Sequence, residues 1–394
     1  MRAPLLAALA LLGVALPNAT ARAQEFNNAA EIFSLGAPAR DARDADVNAD
    51  GAPDLIVALD DGGVAVLLGD DEGDFAPPAA YLAGAFVEDV AVADVNQDGA
   101  LDLVAVNRTA SAVSVLLGDG DGAFAPPVDT PIAGIGSKLV VARLDPGPTL
   151  DVAVTEFASG TVIVYPGVGD GSFGAPVAYP VGANSFFIDA GDLDGDGHTD
   201  LVVARSFESD VVSILINDGA GGFAAAVPFA TGDWPQDLAL KDVDRDGALD
   251  LIVLLLVENQ VAVYFGDGDG GFTGPPATSP ALAPSALTAA DINDDGDLDL
   301  LVAAGPNQVV LLLGAGDGTF AETRSFTLTS PAAIVTSDFK DNGQLDIALL
   351  SSIETVAELW INVTCVPSPD LNGDGVVDAA DLAALIGAWG VLKD

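Results

Sequence analysis

A ten-residue acidic phrase returns seven times along the chain at a nearly constant interval, and that periodicity limits the possible fold more than any other feature. It reads Asp46-Val-Asn48-Ala-Asp50-Gly51-Ala-Pro-Asp54-Leu55 and, one interval later, Asp94-Val-Asn96-Gln-Asp98-Gly99-Ala-Leu-Asp102-Leu103. Further copies start at Asp192, Asp242 and Asp291, and weaker ones at Arg143 and Asp338, so successive starts lie 47 to 50 residues apart. Apolar runs of strand length surround each copy. In the second unit they are Val90 to Val95, Leu101 to Val106, Ser111 to Leu117, and a segment from Phe124 to Ile132 that opens with prolines. Proline suits an outer edge strand, where a missing N–H breaks no ladder. The run Gly118 to Gly122 supplies the reversal before that strand, since Gly and Asp accept tight turns. One such unit cannot bury both faces of its sheet, so neighbours must cover it, and an all-β, seven-bladed propeller is expected.

The two ends of the repeat region support closure into a ring. No fourth strand follows the seventh third strand, Thr355 to Val363, while an unpaired one stands at the start, from Ala30 to Leu35. The N-terminal strand is therefore expected to close the last blade, hiding a sheet edge that would otherwise pair with other chains. Residues 24–363 form one domain on this reading. Residues 1–23, with Arg2, an apolar stretch and a small-x-small exit, read as a signal peptide. Residues 364–369 read as a linker holding the single cysteine, Cys365, which has no partner in the chain. No segment after the signal reaches the length of a transmembrane span.

The acidic phrase has the spacing that a hard cation needs. Side-chain oxygens at positions 1, 3, 5 and 9, a backbone carbonyl at 7 and a Gly at 6 wrap six or so oxygens around calcium. Five copies keep all four side chains. They are Asp46, Asn48, Asp50 and Asp54; Asp94, Asn96, Asp98 and Asp102; Asp192, Asp194, Asp196 and Asp200; Asp242, Asp244, Asp246 and Asp250; and Asp291, Asn293, Asp295 and Asp299. In the third copy Arg143 replaces the first Asp, with Asp145 and Asp151 left for its guanidinium to pair with. In the seventh, Lys340 and Asn342 stand between Asp338 and Asp346, and the ammonium is expected to take the cation's place.

The phrase, followed after a strand by Gly-Asp-Gly-x-Phe-x-x-Pro, resembles the FG-GAP/VCBS repeats of integrin-α-type β-propellers. The resemblance covers about Gln24 to Val363. It implies seven blades with calcium in the loop between the first and second strands, and it implies no particular reaction.

A different calcium-like loop occupies residues 370–394. Asp370, Asn372, Asp374, the Val376 carbonyl, Asp378 and Asp381 fall at positions 1, 3, 5, 7, 9 and 12. Leu382, Leu385, Ile386 and Trp389 follow at helical spacing. This tail resembles one half of a type I dockerin, or an isolated EF-hand-like loop, and implies a cohesin-like or surface partner.

Thirteen Lys and Arg against 59 Asp and Glu leave a formal charge of −46, so nucleic acid is not an expected partner. In a ring of antiparallel blades the acidic loops and the Gly-Asp turns share one face. The other face collects Arg108, Phe157, Phe186, Arg205, Phe207 and Trp234, a composition suited to sugar or peptide recognition. The only histidine, His198, sits at position 7 of a calcium loop, and no Ser/His/Asp set is available. The expected function is a secreted, extracellular or cell-surface binding or scaffold module for a protein or carbohydrate ligand. The alternative is an extracellular enzyme such as a polysaccharide lyase or phosphodiesterase. Asn107 and Asn362 begin glycosylation triplets.

Overall fold

The computed structural model describes Phe26 and residues 30–362, apart from 71, 83, 84 and 207–209. The proposed signal peptide, linker and C-terminal loop lie outside these residues, as do Cys365 and Phe207. The described chain forms seven separate antiparallel sheets of four strands each. The inner strands are Ala39–Ala45, Val87–Ala93, Gly136–Ala142, Ser185–Gly191, Pro235–Lys241, Pro284–Ala290 and Pro331–Ser337, which open blades 1 to 7. No helix among the described residues is long and apolar enough to cross a membrane.

Ring closure follows the expected route. Glu31–Ser34 pairs antiparallel with Val356–Trp360 as the outer strand of blade 7, in the register Glu31 to Leu359 and Ser34 to Val356. Phe33 anchors it by meeting Phe75 edge-on at 4.9 Å, and Phe75 in turn meets Phe339 at 5.5 Å. The closing strand is thus held by the blades on both sides of the seam.

Second strands are the most deeply buried, because each lies between two neighbouring sheets. Asp54–Leu59, Asp102–Asn107, Asp151–Glu156, Asp250–Leu255, Asp299–Ala304 and Asp346–Ser351 are buried at every position. The core is correspondingly divided into seven clusters, each spanning one blade junction. Between blades 1 and 2, for example, Ile56, Val64 and Val66 pack on Val90, Leu103 and Leu116. Burying such branched side chains from water contributes about 2 kcal/mol each, so the ring is held by its junctions. The phenylalanines of the Gly-Asp turns add aromatic edges there: Phe124 of blade 2 meets Tyr81 of blade 1 at 5.3 Å, and Phe223 of blade 4 meets Tyr179 of blade 3 at 5.2 Å.

Strand boundaries depart from the expected ones at the channel. The inner strand of blade 2 begins at Val87, three residues ahead of Val90, because it carries a bulge between Val87 and Asp89. All seven inner strands shift register at this place. A bulge re-aims the residue it holds, and here that residue faces the ring axis.

Candidate metal loops and the central channel

The five full acidic loops share one backbone. Position 4 is left-handed in each (Ala49 φ 58°, Gln97 φ 62°, Gly195 φ 74°, Arg245 φ 64°, Asp294 φ 56°), and so is the Gly at position 6, from Gly197 at 88° to Gly51 at 97° in blades 1, 2, 4 and 5. Asn and Gly tolerate such angles most readily, and other residues adopt them at a cost. Side chains of the loop itself offset that cost. Asp46 accepts the amides of Asp50 (3.2 Å) and Gly51 (2.9 Å), and Asp50 accepts that of Ala52 (2.9 Å). Asp94, Asp242 and Asp291 repeat the arrangement.

Carboxylates converge where the spacing places them. In blade 4 one oxygen from each of Asp192, Asp194 and Asp200 lies within 4.8 Å of the others, and Asp242, Asp244 and Asp250 do the same in blade 5. Oxygens so spaced all reach a single cation at calcium-like distances of about 2.4 Å. The donor set is hard oxygen throughout, so the residues fit calcium. In blades 1 and 2 the position-3 side chains Asn48 and Asn96 turn their amide nitrogens onto Asp50 and Asp98, each at 2.8 Å. His198 is exposed, with its backbone amide on Asp196 at 2.8 Å.

Position 9 plays a second part that its loop spacing does not reveal. Each of these aspartates is the first residue of a second strand and is fully buried. Asp54 accepts the amide of Val47 at 2.8 Å on one oxygen and that of Gly69 at 2.9 Å on the other. It thereby clasps the acidic loop to the turn between third and fourth strands. Asp102, Asp200, Asp250 and Asp299 make the same two bonds in their blades. Each carboxylate oxygen keeps a lone pair after accepting one N–H, so the clasp does not exclude a metal. Burial raises the pKa of Asp54, Asp102, Asp200 and Asp250 and pushes Asp299 up to about 7. An adjacent divalent charge would reverse that trend.

The two degenerate copies correct one expectation. In blade 3 Asp151 clasps Leu144 and Asp145 (2.8 and 3.0 Å) and Gly167 (2.7 Å) through their amides, and Asp145 bends back to the amide of Gly147 at 2.6 Å. Arg143 is exposed and makes no ion pair among the described residues, so its guanidinium does not stand in for a cation. Hydrogen bonds from the backbone do that work instead. Blade 7 keeps the left-handed angles at Asp341 and Gly343, with Asp338 on the amides of Asn342 (2.9 Å) and Gly343 (2.7 Å). Lys340 is likewise exposed and unpaired by any carboxylate among the described residues.

On the opposite face only some of the expected residues meet. Phe157 and Phe186 stack edge-on at 6.3 Å. Arg108 is bound to Glu88 at 2.7 Å and lies over Phe86 at 5.2 Å, with Arg40 over the same ring at 4.9 Å. The Arg205 guanidinium lies against Gly182, and Trp234 has a left-handed backbone at φ 61°. Both glycosylation triplets begin with buried asparagines: Asn107 is 5% exposed and Asn362 1%. Neither presents its amide nitrogen to an enzyme in the folded chain.

The central channel was not anticipated from the sequence. It encloses a cavity of about 710 Å³ lined by the inner strands, among them Asp41, Arg43, Asp89, Lys138, Asp189 and Asp237. Arg43 binds Asp41 at 2.8 Å and approaches Asp89 at 3.4 Å, while Lys138 reaches Asp89 at 3.2 Å and Asp41 at 3.7 Å. Despite its burial, the two cations hold Asp41 far below the ordinary carboxylate range, while burial and the Asp41 charge push Asp89 up to about 8. The available signal was a charge inside a strand-like run, as in Arg40-Asp41-Ala42-Arg43 and Ser137-Lys138-Leu139.

This ring of seven acidic-loop blades defines a repeat propeller, and family comparison agrees. A family profile described as FG-GAP-like repeat matches residues 46–105, 149–203, 192–253, 253–302 and 291–349. The chain belongs to the FG-GAP-like repeat family. No curated protein matches it. Among solved structures it is similar to the BP39L lectin from Burkholderia pseudomallei, with a TM-score of 0.64 at 17% identity over 84% of this chain and 97% of that one. It is also similar to BBS1N, solved in complex with ARL6DN, with a TM-score of 0.61 at 11% identity over 86% and 97% of the two chains. Virginiamycin B lyase from Staphylococcus aureus gives a TM-score of 0.57 at 13% identity, over 86% and 100%. At these identities the likeness concerns the fold.

Proposed function

We propose that the protein is a secreted, calcium-stabilised propeller that binds a protein or carbohydrate ligand without transforming it. The observation that carries the metal assignment is the convergence of three carboxylates within 4.8 Å in blades 4 and 5, on a loop backbone shared with blades 1, 2 and 6. Support for a binding role comes from similar folds in a lectin and in a protein solved with a protein partner. The apolar N-terminal stretch supports export, and the loop at 370–394 supports a docking or anchoring role for the tail.

The metal reading is tested by elemental analysis and chelation of the purified chain. Five calcium ions are expected in the propeller, and a melting curve unchanged in excess chelator would reject the assignment. The binding reading is tested on glycan and protein arrays with calcium present, alongside a turnover screen on polysaccharides. Binding without turnover supports the module, and turnover moves the assignment to an enzyme.

A further inference from the structure

Position 9 of the acidic phrase is an aspartate in every blade, and in blades 1 to 6 both oxygens of its carboxylate accept backbone N–H groups. Even in the degenerate blade 3, Asp151 takes the amides of Leu144 and Asp145 on one oxygen and that of Gly167 on the other. Asp346 in blade 7 differs. It is fully buried, its Oδ1 accepts the Asn362 amide at 2.7 Å, and its Oδ2 has no hydrogen-bond partner. The amides of Phe339 and Lys340 lie beside the carboxylate without completing a hydrogen bond to that oxygen. In blades 1, 2 and 6 the corresponding oxygen accepts the amide of loop position 2, from Val47, Val95 and Ile292, so the free oxygen of Asp346 faces its own acidic loop. A buried carboxylate oxygen left without a donor or a cation is strongly disfavoured.

Around that oxygen the loop keeps the shape of the full copies. Asp341 and Gly343 are left-handed at φ 44° and 77°. Asp338 accepts the amides of Asn342 (2.9 Å) and Gly343 (2.7 Å), and Asn342 Oδ1 accepts that of Gln344 (2.9 Å). Asp46 and Asp50 make the same bonds in blade 1. Asp338, Asn342 and Asp346 thus stand at positions 1, 5 and 9, and Gln344 offers its carbonyl at position 7. Only position 3 is lost, and the exposed Lys340 there makes no ion pair among the described residues.

We infer that the blade 7 loop holds a sixth calcium ion on Asp338, Asn342, the Gln344 carbonyl and the free oxygen of Asp346, and that this ion locks the seam of the ring. The inference rests on the calcium reading of the five full loops and extends it to a copy whose sequence breaks the ligand pattern. Two carboxylates face this ion, against three or four in the full loops, and calcium affinity follows ligand charge. Blade 7 is therefore the weakest of the propeller sites and the last to fill.

Asn362 ties that occupancy to ring closure. Its amide is held by Asp346, and its carbonyl accepts Asn342 Nδ2 at 3.2 Å. Its side chain donates to the carbonyls of Leu345 and, in the blade 6 loop, Ile292, at 3.3 Å each. Phe26 forms a β-bridge with Asn362 and meets Phe326 edge-on at 5.3 Å, just ahead of the closing strand Glu31–Ser34. The two ends of the described chain thus meet beside the blade 7 loop. An ion that fixes Asp346 and Asn342 also fixes Asn362, and through it the N-terminal segment.

The test is calcium binding by equilibrium dialysis with elemental analysis, comparing the full wild-type chain with Asp338→Ala. The variant should bind one calcium fewer. An equal count overturns the sixth site while leaving the five full loops standing, whereas a wild type that binds no calcium overturns both readings. During a calcium titration of the wild type, amide exchange in Glu31–Ser34 should slow as the last ion binds, and in Asp338→Ala that step should be missing. Exchange that is the same in both chains overturns the lock. If Asp338→Ala fails to fold, Lys340→Ala, altered at an exposed position, carries the comparison. Removing the like charge beside the ion should tighten one binding step by about threefold, and a titration identical to wild type counts against the proposal.

Discussion

At position 9 of the acidic phrase one carboxylate answers two demands. The residue was read as a calcium ligand from its spacing, yet Asp151 and Asp346 keep it in blades where the rest of the ligand set is broken. Six blades share the full clasp, and blade 7 keeps half of it: Asp346 accepts the amide of Asn362 at 2.7 Å as Asp54 accepts that of Gly69, while its other oxygen is buried without a hydrogen-bond partner. Removing such a carboxylate leaves buried N–H groups without partners, which costs about 3 kcal/mol. Asp151→Ala is therefore expected to lose that much stability whether or not chelator is present, as measured by denaturant unfolding. Asp200→Ala should lose a similar amount in chelator and more in calcium, where it also forfeits an ion. Equal losses for Asp200→Ala in both conditions would show that position 9 does not touch the metal. Sequence spacing could not separate these roles, because the residue that ends the loop also begins the strand.

The N-terminal strand is the element on which ring closure depends. Its pairing with Val356–Trp360 was legible because one strand was missing at the end and one was spare at the start. The aromatic seam that fixes it was not legible, since Phe33, Phe75 and Phe339 are far apart in the chain and meet only when the ring closes. Phe33→Ala should cost about 3 kcal/mol through the cavity it leaves. Deleting residues 24–35 exposes the edge of Val356–Trp360, and self-association in size-exclusion chromatography is the expected outcome. A monomeric deletion variant with an unaltered melting temperature would mean that the seam is dispensable. The inner strands teach a different lesson. Their bulges place Asp89 and Lys138 toward the axis, and no period-2 pattern foretells a bulge.

For the whole molecule the governing quantity is charge. The chain carries a formal −46 over 394 residues, and the acidic loops and Gly-Asp turns bring many of its carboxylates together on one face of the ring. Like charges at such density repel, and salt screens them over about 10 Å at 0.1 M. In chelator, raising sodium chloride from 20 to ~500 mM is expected to raise the melting temperature markedly, whereas in calcium the gain should be small. A large salt effect in both conditions would show that the ions do not neutralise that face.

Repeat length, strand content and ligand spacing are local properties of the chain, so blade number, ring closure and the acidic-loop register could be read from residue order. Contacts between residues in different blades could not be, and those determine the rest. Arg143 and Lys340 look like stand-in cations along the chain but point to solvent once the backbone amides have satisfied their neighbouring carboxylates. Of the opposite-face aromatics, Phe157 and Phe186 meet across the junction of blades 3 and 4, a contact between distant parts of the chain. The channel with its charged rim exists only where seven inner strands face one axis, and a channel lined by distant segments has no signature in any one of them.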